Sequence, residues 1–180
     1  MRSLALVLST GCGFSITSQP APDAVPIDAA PRVWIFEAEA FTSRLMPGTH
    51  QWTEATALLG YSGTSYMLLA GGSGNACTSN VSTCASMSYA ISLEEGGIYH
   101  LHLRMWADGP GTDSVWVSLD DPTANAITAV DLAEDSTFKW TTSPDTYTLP
   151  AGTHTLTIWH REGGAIVDRL ALIMDPTPPP

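Results

Sequence analysis

The sequence predicts an all-β domain, an antiparallel two-sheet β-sandwich of jelly-roll type. Three observations predict it. About nine to eleven short segments alternate apolar and polar residues with period two, each bounded by Gly, Pro, Asn, Asp or Ser. No stretch carries the i, i+3, i+4, i+7 apolar spacing of a long amphipathic helix. Charged residues make up only 14% of the chain while it holds 15 glycines and 13 prolines, a composition of strands joined by turns. Because strands do not alternate with helices, the sheets are expected to be antiparallel.

Val33 to Phe41 opens the domain as a strand whose alternation places Glu37 and Glu39 on one face with Val33 and Ile35. Thr42 to Thr64 reads as loop, carrying Trp52, Tyr61 and the turn Gly60-Tyr61-Ser62-Gly63. Ser65 to Leu69 is a short strand, and Ala70 to Ala85 a Gly/Ser/Asn loop. Ser86 to Leu93 is a strand that stops at Glu94-Glu95-Gly96-Gly97. Ile98 to Trp106 is the clearest strand: Tyr99, Leu101, Leu103 and Met105 form its apolar face, and His100, His102 and Arg104 are expected to face solvent. The two histidines share a face and could grip a transition metal, but no third ligand is evident and Arg104 beside them repels a cation. Ser114 to Asp120 turns Val115, Val117 and Leu119 inward and Trp116 outward. One strand within Ala126 to Leu132 and a short one at Phe138 to Thr142 follow.

The last hairpin organises the rest. Thr153 to His160 puts His154, Leu156, Ile158 and His160 on one face, Arg161-Glu162-Gly163-Gly164 turns, and Ala165 to Met174 returns. On that return strand Ile166, Leu170, Leu172 and Met174 are expected to share a face with Asp168. A buried carboxylate must be protonated, paired with a base or bound to a metal, since leaving it unpaired costs several kcal/mol.

Seven Lys plus Arg stand against 18 Asp plus Glu, a net charge of −11, which excludes nucleic acid and other polyanions as partners held by phosphate neutralisation. Calcium or a neutral polymer suits the chain better. No run approaches the roughly 18 apolar residues of a membrane-spanning helix.

Residues 1–12, with Arg2, the apolar Leu4 to Leu8 and then Ser9-Thr10-Gly11-Cys12, resemble a bacterial lipoprotein signal. The resemblance implies cleavage behind Gly11, acylation of Cys12 and an exported protein anchored to a membrane or displayed at the cell surface. Residues 13–32, rich in Pro, Ala, Ser and Asp with no apolar period, then read as a flexible tether. With Cys12 as anchor, the odd count of three cysteines leaves Cys77 and Cys84 as a pair. A disulfide there would close a small loop worth about 2.5 kcal/mol by loop entropy; two free thiols are the alternative. The domain spans residues 33–175, about 140 residues, and residues 176–180 form a Pro-rich tail.

Glu37-Ala38-Glu39, Gly60-Tyr61-Ser62-Gly63, Gly97-Ile98-Tyr99 with Arg104, Trp140, Leu149-x-x-Gly152-x-His154-x-Leu156 and Ile166-Val167-Asp168 follow one another over one domain length. In that order they resemble carbohydrate-binding modules of the family 6 and family 35 type. The resemblance implies a β-sandwich with a structural calcium held by Glu37, Glu39 and Asp168. Two carboxylates two residues apart on a strand lie about 6.6 Å apart at Cα, and a third makes an oxygen cage that a hard cation prefers. It implies a glycan or polysaccharide ligand whose sugar stacks on a loop aromatic: Trp140 first, Tyr61 and Trp52 next, Trp106 third. A pyranose has an apolar C–H face and a rim of hydroxyls, so a ring flanked by polar groups gives both affinity and orientation. The asparagine that the family places before its last strand is replaced here by the region of Glu162-Gly163-Gly164, which leaves Arg161, Glu162 or Asp108 to meet the sugar hydroxyls. Trp34 and Trp159 are read as packing residues.

Three functions compete. The first is a non-catalytic glycan-binding surface lipoprotein, working alone or with a separate catalytic or surface protein. The second is a structural or adhesion domain that kept the sandwich and lost the sugar. The third, a glycosidase using Glu37 and Glu39 as acid and base, requires a cleft between two residues of one strand.

Overall fold

In the computed structural model, which describes residues 34–71, 77, 81–121, 127–133 and 136–180, eleven strands form two antiparallel sheets packed face to face. The signal segment, Cys12, the tether and Val33 lie outside the described residues. The strands are β1 (Trp34–Glu37), β2 (Ser43–Leu45), β3 (Gln51–Ala55), β4 (Tyr66–Ala70), β5 (Ser86–Leu93), β6 (Gly97–Trp106), β7 (Ser114–Leu119), β8 (Thr128–Asp131), β9 (Lys139–Leu149), β10 (Gly152–His160) and β11 (Ile166–Ile173). The first sheet runs β3-β4-β11-β6-β9, with β1 also paired to β11; the second runs β2-β5-β10-β7-β8. The sandwich is the architecture the sequence predicts.

The core lies where the inward faces meet. Leu101, Leu103 and Met105 of β6 and Val167, Leu170 and Leu172 of β11 oppose Met87, Tyr89 and Ile91 of β5, Val115 and Val117 of β7, and Leu156 and Ile158 of β10. The sets on β5, β6, β7 and β10 follow the period of two. On β11, however, the alternation changes phase. Val167 pairs with Met105 and Arg169 with the adjacent Arg104, so Asp168 is the extra residue of a β-bulge. Ile166 therefore does not share the core face of Leu170 and Leu172, and Asp168 is re-aimed rather than carried on an apolar face. A bulge leaves no mark in a hydrophobic pattern, and the expected single face was wrong for that reason.

Other differences have equally local causes. The expected loop at Thr42 to Thr64 contains β2 and β3. Expected to end at Thr142, β9 continues to Leu149 despite Pro144. Thr142 pairs with His102 and Thr146 with His100, so Ser143-Pro144-Asp145 bulges out opposite Leu101. Proline, which has no N–H to donate, is tolerated there because β9 is an edge strand. His102, expected to face water, is fully buried: its Nδ1 lies 2.9 Å from Thr142 Oγ1 and its Nε2 3.4 Å from the Asp175 carbonyl, under the segment that follows β11. Burial pushes its pKa below the ordinary histidine value. Cys77 and Cys84 form the disulfide. Trp116, turned away from the core, is covered by it: Val81, Cys84 and Trp159 cluster with Cys77 and Trp116 outside the second sheet, and Trp116 Nε1 donates to the Cys77 carbonyl at 2.7 Å.

His154 is tied to the end of β7. Its Nδ1 is 2.5 Å from Asp120 Oδ2 and its Nε2 2.9 Å from the Pro150 carbonyl, and the hydrogen bond to Asp120 raises its pKa. A base whose folded pKa is raised stabilises the fold fully below its unfolded value of about 6.5, and that contribution is lost as pH rises through the folded value. Asp120 has φ 57°, a conformation asparagine also accepts, so Asp120→Asn removes the charge and keeps the turn. In thermal denaturation the gap between wild type and Asp120→Asn should be widest near about pH 5.5 and close toward about pH 8. The gap is expected to be small, since Asp120 is 45% exposed. A gap constant over that range would show that the pair does not titrate.

Candidate functional site

The site is built where β1, the β3–β4 loop and the β11 bulge meet. On β1 the inward residues are Trp34 and Phe36, whose rings stack at 6.3 Å, followed by the fully buried Ala38. Ile35, Glu37 and Glu39 consequently lie on the outer side. The end of β1 is pinned from two directions: the Ala38 N–H donates to the Asp168 carbonyl at 2.9 Å, and Tyr89 Oη donates to the Ala38 carbonyl at 2.7 Å. The bulge and the two glutamates are thereby held together.

Residues 60–65 fold over these carboxylates. The Ser62 N–H donates to Asp168 Oδ1 at 2.8 Å. Glu39 Oε1 accepts from the Thr64 N–H, Thr64 Oγ1 and the Ser65 N–H at 3.2, 3.0 and 3.3 Å. At Gly63, with φ +65°, a Cβ would stand 3.0 Å from Glu37 Oε2 and 3.0 Å from Glu39 Oε1, so only glycine lets the loop approach both carboxylates.

Two arginines offset part of the charge. Arg104 Nη1 donates to Asp168 Oδ2 and its Nη2 to the Gly60 carbonyl at 2.9 Å, while Arg169 Nε lies 3.1 Å from Glu37 Oε1. Asp168 is fully buried, and burial raises its pKa against the lowering effect of the Ser62 N–H and Arg104. Burial is also the chief cause of the raised Glu37 pKa, with Arg169 opposing it and Glu39 adding to it. Glu37 Oε2 and Glu39 Oε2 are buried without a hydrogen-bond partner. These two orphaned oxygens fit a hard cation, because unpaired buried carboxylate oxygens are costly. Asp168 fits less directly, since its Oδ2 is occupied by Arg104. Among the described residues no group of three His, Cys, Asp or Glu side chains is arranged to hold a metal.

An aromatic surface adjoins the carboxylates. Trp140 lies opposite Arg104, Arg104 opposite Arg169, and Arg169 opposite Glu37, one row across four strands of the outer face. The Arg104 guanidinium stands 5.4 Å from the Phe138 ring, Phe138 lies 5.6 Å from Tyr66, and Tyr66 meets Tyr61 edge-on at 5.6 Å. Trp140, Tyr61 and Phe138 are each half-buried. Of the residues named from sequence, Asp168 and Trp140 thus adjoin Arg104, while Tyr61 belongs to the 60–65 loop that Arg104 holds at Gly60 and that covers Glu37 and Glu39. Phe138 was missed, although its spacing of two from Trp140 was available as a signal.

The remaining candidates go elsewhere. Trp52 is a core residue, fully buried with Nε1 donating to the Ala85 carbonyl at 3.3 Å, because β3 turns it between the sheets. It cannot stack on a ligand. Trp106 is half-buried at the end of β6, opposite Ile166. Arg161 and Glu162 belong to a network on the second sheet. Arg161 Nη1 bonds Ser114 Oγ and Asp131 Oδ1, the latter at 2.8 Å, and its guanidinium stands 5.1 Å from the Trp116 ring. Glu162 Oε1 lies 3.4 Å from Arg161, and the Glu162 carboxyl bonds Asp113, whose pKa is raised by burial and by that bond. Asp108 accepts from Thr112 Oγ1 at 3.3 Å.

No family model and no curated protein matches the chain. Solved structures do. A family 35 carbohydrate-binding module from Clostridium thermocellum superposes with TM-score 0.55 at 16% identity, covering 78% of this chain and 96% of that one. The C-terminal family 6 module of a marine laminarinase from Zobellia galactanivorans gives 0.52 at 15% identity, covering 78% and 98%. This chain has the family 6/35 carbohydrate-binding-module fold. The Podospora anserina GH26-CBM35 β-(1,4)-mannanase gives 0.56 at 22% identity over 82% of this chain, which spans only 29% of the mannanase chain. In the module fold found here, the first strand, the β3–β4 loop and the bulge of the last strand converge, and the carboxylates and Trp140 share that face.

Proposed function

We propose that this chain is a non-catalytic glycan-binding module carrying a structural calcium, exported and held at a bacterial membrane or cell surface through acylated Cys12. The observation that carries the reading is the placement of half-buried Trp140 opposite Arg104, whose guanidinium stands over Phe138 and bonds the Gly60 carbonyl next to half-buried Tyr61. A flat ring with a charged donor beside it matches a pyranose, whose face is apolar and whose rim is polar. The likeness to carbohydrate-binding modules supports the same reading. Calcium would be held by Glu37 and Glu39, and by Asp168 if Arg104 yields an oxygen; its charge would satisfy the orphaned oxygens and hold the β3–β4 loop against the bulge. The hydrolase reading is disfavoured, since Glu37 and Glu39 both lie beneath Gly63 and leave no space between them for a sugar.

The structural or adhesion reading keeps one observation in its favour. Arg161 and Glu162, the candidates to replace the family's asparagine, are engaged with Ser114, Asp131 and Asp113 instead. Affinity electrophoresis in gels containing plant, algal and bacterial polysaccharides separates the two. Retardation by one polymer that Trp140→Ala abolishes is the expected result, a loss of about tenfold or more for a stacked ring. A folded protein that no polymer retards would favour the adhesion reading.

A further inference from the structure

We propose that the seam between β8 and β9 is a second saccharide site, separate from the Trp140 face. It rests on the glycan-binding reading and extends it. Only the four residues of β8 (Thr128–Asp131) stand beside the eleven of β9 (Lys139–Leu149). Thr141 Oγ1 donates to the Asp131 carbonyl at 2.7 Å and Thr128 Oγ1 to Asp145 Oδ2, closing the sandwich along β8. Beside Thr128 a groove of about 600 Å³ lies between β9 and Leu119 of β7, Ile127 and Thr128 of β8. Leu119, Ile127 and Pro144 give it apolar walls, and Thr128, Asp145 and Tyr147 give it polar ones.

The β9 bulge supplies the chemistry. By inserting Ser143-Pro144-Asp145 opposite Leu101 it brings the Asp145 carboxylate to the seam. Buried Ser143 backs the groove, its Oγ 3.2 Å from Tyr147 Oη and accepting the Asp145 N–H at 3.4 Å, so the hydroxyls of Thr128 and Tyr147 and the Asp145 carboxylate are the polar groups that line it. A volume of this order lies within the range of small-ligand sites. The hydroxyls can donate or accept, the exposed carboxylate accepts from two vicinal hydroxyls, and the apolar walls suit the C–H face of a sugar. Asp145 on a chain of net charge −11 repels an acidic sugar, which leaves a neutral pyranose unit as ligand. Across the bulge, Trp140 lies opposite Arg104 and Thr146 opposite His100, so Asp145 stands about 10–13 Å along the strand from Trp140, and one molecule could hold two segments of a polymer and gain avidity.

The test is titration of the full chain with neutral β-linked hexo- and pento-oligosaccharides, read by backbone amide NMR. The expected result is that amides of Thr128, Asp145, Thr146 and Tyr147 shift with one of these sugars, that the shifts persist in Trp140→Ala, and that Asp145→Ala weakens them about tenfold or more. Asp145→Asn, which keeps the shape and loses the charge, should weaken them less. Shifts confined to the Trp140 face and lost in Trp140→Ala would overturn the seam site and leave the glycan-binding reading standing. Seam shifts unaltered in both Asp145 variants, with spectra otherwise native, would also overturn it, and no shift at either face with any sugar would overturn both.

Discussion

Asp168→Ala is expected to lower the free energy of unfolding by about 3–5 kcal/mol, the usual cost of removing one partner from a buried ion pair. Two groups lose their acceptor at once. Arg104 is left without Asp168 Oδ2, and the Ser62 N–H without Asp168 Oδ1. The Arg104 side chain is 21% exposed and partly rehydrates, which points to the lower half of the range, while Asp168 itself is fully enclosed. The loop 60–65 loses one of the bonds that hold it over the bulge, so the effect spreads to Tyr61. Denaturant unfolding in the presence of a chelator measures it without any contribution from bound metal. Removing Arg104 as well, in Asp168→Ala/Arg104→Met, should cost less than the sum of the two single changes, because neither partner is then buried alone. A cost below about 1 kcal/mol for Asp168→Ala would mean that the pair is solvated in solution.

Calcium at about a hundred times its dissociation constant is expected to add about 2.7 kcal/mol to stability. For a domain of this size that is a rise in Tm of roughly 8 °C over the chelated protein. The physical basis is the imbalance of charge: three carboxylates converge on the loop, while Arg169 answers Glu37 and Arg104 answers Asp168. Glu39 is met by hydroxyl and backbone donors on one oxygen, and its other oxygen is orphaned. Glu39→Gln should therefore remove most of the calcium response while leaving the Arg104–Asp168 pair in place. Equal melting temperatures in calcium and chelator would refute the calcium proposal, leaving the arginines as the only counter-ions of the cluster.

Particular residues show how far a sequence can be read. Ser86–Leu93 and the inward sets on β6, β7 and β10 were legible because each alternates cleanly over six or more residues, and alternation is a property of the strand alone. Glu37, Glu39 and Asp168 were legible as a group because carboxylates on strands of an all-β chain need a partner, and a family resemblance named one. Arg104 as the centre of the site was not. Its importance comes from register: four strands place Trp140, Arg104, Arg169 and Glu37 in one row, and three of those strands are distant in sequence. Trp52 misled for the complementary reason, since a tryptophan in a turn-rich segment looks like a loop aromatic until pairing with β4 turns it inward.

The sequence by itself determined the fold class, most of the strands, the inward faces of β5, β6, β7 and β10, and the choice of carboxylates as the feature to explain. Those follow from local periodicity, turn chemistry and charge, which need no knowledge of the neighbouring strand. Tertiary structure alone decided the bulge that re-aims Asp168, the arginines that share the carboxylates, the burial of Trp52 and His102, the Cys77–Cys84 disulfide, and the groove beside β9. All but the disulfide depend on the register and length of a strand against a distant partner. The sandwich sets that register through the sum of its core contacts, so no single segment carries it.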